Sequence, residues 1–130
     1  MNGQDTKEII DKAQKFLESS RELVKIKDFD SSVSRTYYAM YSAVEAVLLS
    51  KGFKFKSHKA IISGFGKYFI KLNEFPKEMG RQLSLTFEKR QIGDYGHKIS
   101  INQKETEEIL EIGQNFVNKI IEYLNQKKII

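Results

Sequence analysis

The stretch that decides the fold is residues 30–50, which read DSSVSRTYYAMYSAVEAVLLS. Apolar and aromatic residues recur in it at intervals of three and four, which is the spacing of one face of an α-helix. Additional aromatic residues widen this face, so the helix is apolar over much of its girth. Such a helix is expected to lie centrally and to contact several neighbours. The residues of the face are Val33, Tyr37, Met40, Val44 and Val47, with Tyr38, Tyr41 and Leu48 beside them.

The segments on either side of this stretch show the same helical periodicity. Residues 5–26 predict an amphipathic surface helix. Three more helices are expected later in the chain, beginning near Ser57, Pro76 and Asn102. Because the connections are short and no strand alternation is present, the sequence predicts an all-α fold. We expect an up-and-down bundle of four to five helices that forms a single domain over residues 1–130.

Local signals indicate where some of these helices end and begin. The apolar stripe of the third helix is expected to run as far as Leu72. Gly93 and Gly96 are expected to bracket the end of the fourth helix, because glycine is unfavourable inside a helix. Asn102 followed by Glu105 resembles a capping box, in which each side chain bonds the other residue's backbone N–H.

The composition excludes several kinds of chemistry. The chain of 130 residues has no cysteine, which excludes disulfides, thiol nucleophiles and thiolate metal sites. It has two histidines and no Glu-x-x-His pair, so neither a metal nor another cofactor is expected. No secretory signal and no apolar run long enough to span a bilayer are present, so we expect a cytoplasmic protein without membrane contact.

The charge is unevenly distributed. The net charge is +5, yet residues 46–73 contain six lysines and no acidic residue. Lysines interleaved with aromatic residues attract phosphate chains and stack on bases, so Lys56 and Lys59 are candidate RNA or nucleotide contacts. The simpler interpretation is a solvated basic face over a core stripe. The six lysines are Lys51, Lys54, Lys56, Lys59, Lys67 and Lys71.

The strongest local signal for chemistry is residues 90–97, RQIGDYGH. Arg90 offers a planar fork that binds phosphate through two hydrogen bonds. His97 can transfer a proton near neutral pH, and Tyr95 offers a ring and a hydroxyl. The alternative is structural: Arg90 and Asp94 are four residues apart and can form a surface ion pair, and Tyr95 can belong to the core.

A further arginine allows a functional and a structural interpretation. Arg35 lies on an otherwise apolar helix, so its side chain either extends along the surface to water or points into a polar cleft. His58 is most simply a residue of the first turn of the third helix.

Several motifs, in this order along the chain, resemble those of the HEPN family of prokaryotic helical proteins. They are RTYYAMY at 35–41, Gly52, SHK at 57–59, FPKEMG at 75–80 and RQIGDY at 90–95. The likeness covers nearly the whole chain and is strongest to the small single-domain members. It implies a helical bundle that pairs as a homodimer.

The resemblance also implies a function. Many HEPN proteins are metal-independent RNases whose motif is an Arg, four to six residues and then a His, and Arg90 and His97 match it. Asp94 would then orient Arg90 or His97. Many are toxins encoded beside a nucleotidyltransferase antitoxin of the MNT type. Other members bind nucleotides without cutting RNA, and such a module would use Arg35, Arg90 and Tyr95 and partner a separate nucleotidyltransferase.

Overall fold

The computed structural model describes residues 2–95 and 101–130, with side chains for residues 3–91 and 101–130. This part of the chain contains helices and no strand, which confirms the predicted all-α fold. The five α-helices are α1 (Asn2–Lys25), α2 (Phe29–Ser50), α3 (His58–Phe65), α4 (Lys77–Tyr95) and α5 (Gln103–Gln126), and a π-helical turn (Gly66–Ile70) follows α3. In the described ranges no helix has the length and apolarity needed to cross a bilayer.

Helix α2 lies at the centre of the bundle, as its sequence predicts. It packs against α1, α3, α4 and α5, and most of its side chains are buried. Helices α1 and α2 are joined by a buried group of hydroxyls, in which Ser20 Oγ lies 2.8 Å from Ser32 Oγ and 2.7 Å from Thr36 Oγ1. Thr36 also faces α5, where a Cβ atom added at Gly113 would clash with Thr36 Cγ2. The close approach of α2 and α5 therefore depends on glycine at this position.

Most of the predicted helix starts are confirmed. Ser57 accepts a hydrogen bond from the backbone N–H of Ala60, and Asn102 accepts one from that of Glu105. The second half of the predicted capping box is replaced by a tertiary contact. The Glu105 carboxylate pairs with Lys89 of α4 at 3.2 Å, which ties the start of α5 to the preceding helix.

Of two predicted helix ends, one is wrong and one is confirmed. The third helix changes to a π-helical turn at Gly66, which shifts the register, so Leu72 is 59% exposed and does not continue the apolar stripe. Helix α4 ends at Tyr95, between Gly93 and Gly96, which confirms that these two glycines bracket its end. The cost of a helical glycine is only about 1 kcal/mol, which the preceding turns of a long helix can offset.

Candidate functional site around Arg90

Arg90 lies on α4 and is held against the aromatic side chains of α2. Its Nη2 donates a hydrogen bond of 2.8 Å to the hydroxyl of Tyr38. Its Cζ atom lies 4.9 Å from the ring centre of Tyr38 and 5.6 Å from that of Tyr37. A guanidinium over an aromatic face gains cation–π attraction. Arg90 is thus in contact with an uncharged aromatic surface on α2.

His58 joins the same aromatic surface from the start of α3. Its Nδ1 shares a hydrogen bond of 2.9 Å with the hydroxyl of Tyr37, and its ring centre lies 4.5 Å from that of Tyr41. The Ser57 cap fixes the first turn of α3 and so directs His58 toward α2. We call this set the Arg90 cluster. Its members are Arg90, Tyr37, Tyr38, Tyr41, His58 and Phe87.

The electrostatics of the cluster favour neutral rings beside a fixed charge. Burial, and then the nearby positive charge of Arg90, lower the pKa of His58. Burial raises the pKa of the Tyr37 hydroxyl. A neutral His58 that accepts the Tyr37 O–H at Nδ1 carries its own proton on Nε2. Nε2 makes no hydrogen bond to the described residues.

The other residues of the predicted RQIGDYGH site are only partly located. Asp94 and Tyr95 belong to the last turn of α4, but their side chains lie outside the described part of the chain. His97 lies outside the described residues altogether. The pairing of His97 with Arg90 therefore stays a prediction. In the same described ranges, no group of three or more His, Cys, Asp or Glu side chains is arranged to hold a metal ion.

Arg35 lies beside the Arg90 cluster, in a groove between α1 and α2. Its side chain is exposed, and the groove has a volume of about 550 Å³. The ring of Tyr38 lines this groove, while its hydroxyl bonds Arg90, so Tyr38 links the two arginines. We call it the Arg35 groove. Its lining residues are Lys12, Lys15, Phe16, Ser19, Arg35, Tyr38, Tyr41, Ser42 and Glu45.

The basic stretch 46–73 divides into structural and free lysines. Lys51 pairs with the Glu74 carboxylate and lies 4.5 Å from the ring centre of Phe69. Burial alone would raise the pKa of Glu74, but its hydrogen bonds with Lys51 and Tyr123 hold that pKa below its ordinary value. Lys51 thus has a structural role. Lys56 and Lys59 are exposed, as a surface contact to RNA or nucleotide requires.

Sequence reasoning missed His58 and the lysines of the Arg35 groove. His58 belongs to the SHK motif at 57–59, but this motif gives no sign that His58 contacts Tyr37. Its contact with Tyr37 joins residues that are 21 positions apart. Lys12 and Lys15 look like any charges on the polar face of α1, and only the packing of α1 on α2 places them in one groove with Arg35.

Fold and site together define a class of protein: an all-helical bundle in which an arginine of the fourth helix lies on adjacent tyrosines of the central helix. A family model described as HEPN domain matches residues 6–126. The chain belongs to the HEPN domain family, which confirms the resemblance seen in its motifs.

Similar proteins are found in archaea and bacteria. "Putative toxin MJ0142" of Methanocaldococcus jannaschii is 37% identical over 126 residues, which cover 97% of this chain and 86% of that protein. A "UPF0332 protein" of Thermotoga maritima is 29% identical over 90% of this chain and 89% of that protein. The crystal structure of TT1696 from Thermus thermophilus covers 94% of this chain and 98% of that chain, with a TM-score of 0.79 and 16% identity. This last likeness shows the fold alone.

Proposed function

We propose that this protein is a metal-independent endoribonuclease and acts as the toxin of a toxin–antitoxin pair. The observation that carries the proposal is the placement of Arg90. Its guanidinium bonds the Tyr38 hydroxyl and lies over the rings of Tyr37 and Tyr38. The pKa of the nearby His58 is lowered by burial and by Arg90 itself. A fixed cation beside a neutral donor suits the binding of a phosphodiester and the charge that builds on it during cleavage.

The reaction uses the RNA's own nucleophile. A base removes the proton of the 2′-hydroxyl, and the 2′-oxygen attacks the adjacent phosphorus. The P–O5′ bond breaks, and the leaving 5′-oxygen takes up a proton from an acid. The products are a 2′,3′-cyclic phosphate and a 5′-hydroxyl. Because the nucleophile belongs to the substrate, no metal-bound water is needed, and DNA should resist cleavage.

The protein residues divide these roles. Arg90 stabilises the negative charge on the phosphate oxygens. His58, with its ring proton on Nε2, donates a hydrogen bond to a phosphate oxygen and so acts as a binding residue. His97 transfers protons, as base to the 2′-hydroxyl or as acid to the 5′-oxygen, and Asp94 orients it or Arg90. Tyr95, Lys56 and Lys59 contact the RNA beside the scissile bond.

The test is cleavage of single-stranded RNA in the presence of EDTA. Arg90→Ala should lower the rate by about 10²–10³-fold, the usual loss when one oxyanion-stabilising group is removed. His97→Ala should lower it comparably, and His58→Ala should mainly raise the KM. Arg81→Ala removes an exposed arginine of the same helix and should have no effect. Equal cleavage by wild type and Arg90→Ala, or no cleavage by wild type, would contradict the proposal.

The names of two relatives support a biological role as a toxin. Two relatives from M. jannaschii carry the name of a toxin, at 37% and 28% identity. We infer that this chain arrests growth when produced alone, as a homodimer, and that a nucleotidyltransferase of the MNT type relieves the arrest. Expression in a bacterial host checks this. Wild type should stop growth, Arg90→Ala should not, and growth stopped equally by both would reject the link between toxicity and RNA cleavage.

A second candidate is a nucleotide-binding or adaptor module that does not cut RNA and partners a separate nucleotidyltransferase. The observation that favours it is the position of Arg35, exposed in a groove with two lysines. Wild-type protein that binds ATP in titration calorimetry and leaves RNA intact in EDTA would establish this function in place of cleavage.

A further inference from the structure

The Arg35 groove carries an excess of positive charge. Arg35 of α2 lies at one end of it, Lys15 of α1 lies nearer the middle, and Lys12 lies toward the end that holds Glu45, because Ser20 of α1 is beside Ser32 and Thr36 of α2. Glu45 is the acid among its lining residues. In the described part of the chain, no ion pair uses any of the three cations. A groove with three such cations attracts an anion, and the fork of Arg35 suits a phosphate group.

The middle of the groove is aromatic. The ring centres of Phe16 and Tyr38 lie 5.8 Å apart, and that of Tyr41 lies 6.5 Å from Tyr38 and nearly perpendicular to it. All three side chains are half-buried, so each keeps part of its surface open to the groove. Aromatic surface beside cations is the composition on which nucleic-acid bases stack. The volume of about 550 Å³ lies in the range of pockets for small organic ligands.

Glu45 gives the groove a direction. It is ten residues after Arg35 on α2, so the two lie about 15 Å apart along the helix axis at 1.5 Å per residue. Glu45 is half-buried, and no ion pair or hydrogen bond among the described residues uses its carboxylate. A ligand that spans the groove would therefore meet Arg35 at one end, Lys15 and the rings in the middle, and the Glu45 acceptor with Lys12 at the other end.

An ionised carboxylate only accepts hydrogen bonds, and this selects among the bases. Guanine presents N1–H and the exocyclic N2–H₂ side by side, so both can donate to the two oxygens of one carboxylate. Adenine and cytosine place a ring acceptor beside their amino group, and uracil flanks its single N–H with two carbonyls. Glu45 therefore matches guanine and is repelled in part by the other three bases.

We propose that the Arg35 groove binds a guanine nucleoside phosphate, with the phosphate at Arg35 and Lys15, the base on Phe16 and Tyr38, and its Watson–Crick edge at Glu45. The nucleotide is either free or part of an RNA strand. The second source rests on the proposed ribonuclease function, because the Tyr38 hydroxyl that Arg90 contacts would place this nucleotide beside the scissile phosphate.

The experiment is titration calorimetry of the full chain with GMP, AMP and UMP. A fourth ligand, the dinucleotide GpU methylated at the guanosine 2′-oxygen, cannot be cut and reports on RNA as the source. Wild type should bind GMP about tenfold more tightly than AMP or UMP, the discrimination expected of a two-bond base contact. Glu45→Gln should abolish this preference, because the amide replaces one acceptor by a donor.

Matched variants separate a specific anion site from general positive charge. Arg35→Ala and Lys15→Ala should each weaken GMP binding about tenfold, the loss expected for one charged hydrogen bond. Arg81→Ala and Lys119→Ala remove exposed cations outside the groove and should leave it unchanged. Circular dichroism of each variant confirms that the helices are intact.

The outcomes decide the inference independently of RNA cleavage. GMP preference that depends on Glu45 supports it whether or not the protein cuts RNA. Tighter binding of the methylated dinucleotide than of GMP identifies RNA as the source, and equal binding identifies the free nucleotide. Equal affinity for all three nucleotides, equal effects of Arg35→Ala and Arg81→Ala, or no binding at millimolar concentration would overturn it. Cleavage that depends on Arg90 would in that case still stand.

Discussion

Tyr38 is the residue that connects the two parts of the proposed site. Its hydroxyl accepts the hydrogen bond of Arg90, and its ring lines the Arg35 groove. The hydroxyl and the ring therefore have separate roles. The first holds the guanidinium in one orientation, and the second offers a surface to a ligand. A substitution that removes one and keeps the other can distinguish these roles.

We expect Tyr38→Phe to lower RNA cleavage about tenfold with little change in GMP affinity. The ring is kept, but Arg90 loses an acceptor, and a hydrogen bond to a charged group is worth about 1.5–3 kcal/mol. Single-turnover cleavage and calorimetry measure the two effects. Tyr68→Phe is the control, because the Tyr68 hydroxyl makes no hydrogen bond to the described residues. Equal cleavage by both variants would show that the contact does not position Arg90.

His58 should make the stability of the protein depend on pH. Its pKa is lowered in the folded state, first by burial and then by Arg90, so protonation favours unfolding. The contribution of the neutral ring is fully present above the unfolded pKa of about 6.5 and is lost as the pH falls below it. The free energy of unfolding in urea should thus fall more between about pH 8 and pH 5 for wild type than for His58→Gln. Parallel curves for the two proteins would contradict this.

At the residue scale, the sequence identified the two candidate arginines but not the side chains that they contact. Arg90 stands out because it belongs to the motif RQIGDYGH, and Arg35 because it is a charged residue on an otherwise apolar helix. His58 could not be found in this way. Its role depends on a hydrogen bond with Tyr37, which exists only because α3 packs against α2. The pairing of Arg90 with His97 stays a prediction.

Among the helices, the contact of α2 with α5 is the most tightly constrained. Gly113 faces Thr36, whose side chain is fully buried and whose hydroxyl is bonded to Ser20. Thr36 is β-branched, so it has few other rotamers available. An added methyl group therefore has to move the helices apart.

Gly113→Ala should destabilise the protein by roughly 1–3 kcal/mol, the usual cost of overpacking, even though alanine favours helices. The matched control is Gly66→Ala. A Cβ atom there has no neighbour within 4 Å, so the change should be neutral or stabilise by up to about 1 kcal/mol. Urea denaturation of both variants measures the difference. A Gly113→Ala protein as stable as wild type would show that α2 and α5 can separate at low cost.

The helices themselves were largely predictable, because hydrophobic periodicity and caps are local properties. The start of α3 at Ser57 and the cap of α5 at Asn102 were read from single residues. The errors arose where tertiary contacts compete. The Glu105 side chain pairs with Lys89 instead of bonding the backbone N–H of Asn102. The π-helical turn Gly66–Ile70 shifts the helical register, so Leu72 is exposed where the stripe predicted burial.

For the whole molecule, the net charge of +5 understates the charge that RNA would meet. Acidic residues are absent from residues 46–73, and Lys56 and Lys59 are exposed there. Lys51 contributes less, because it is paired with Glu74. The affinity for RNA should therefore arise from a few lysines on one surface and depend strongly on salt.

The salt dependence of RNA binding tests this distribution of charge. For single strands, the slope of log K against log salt changes by about 0.7 for each phosphate neutralised. Lys56→Ala and Lys59→Ala should each reduce the slope by about this amount. Lys119→Ala, which removes an exposed lysine of α5, should leave it unchanged. Equal slopes for all three variants would mean that the basic stretch is only a solvated surface.

The buried hydroxyls between α1 and α2 have a consequence for which ligands the protein can accept. Ser20 bonds Ser32 and Thr36, which lie about one helical turn apart on α2. If α1 slid along α2, these hydroxyls would be left buried without partners, at a cost of about 1–3 kcal/mol each. The distance from Arg35 to Glu45 is set by α2 alone. The positions of Lys12 and Lys15 relative to these two residues depend on how α1 is aligned along α2. Changes at Ser20 could therefore alter ligand selectivity without touching any residue of the groove.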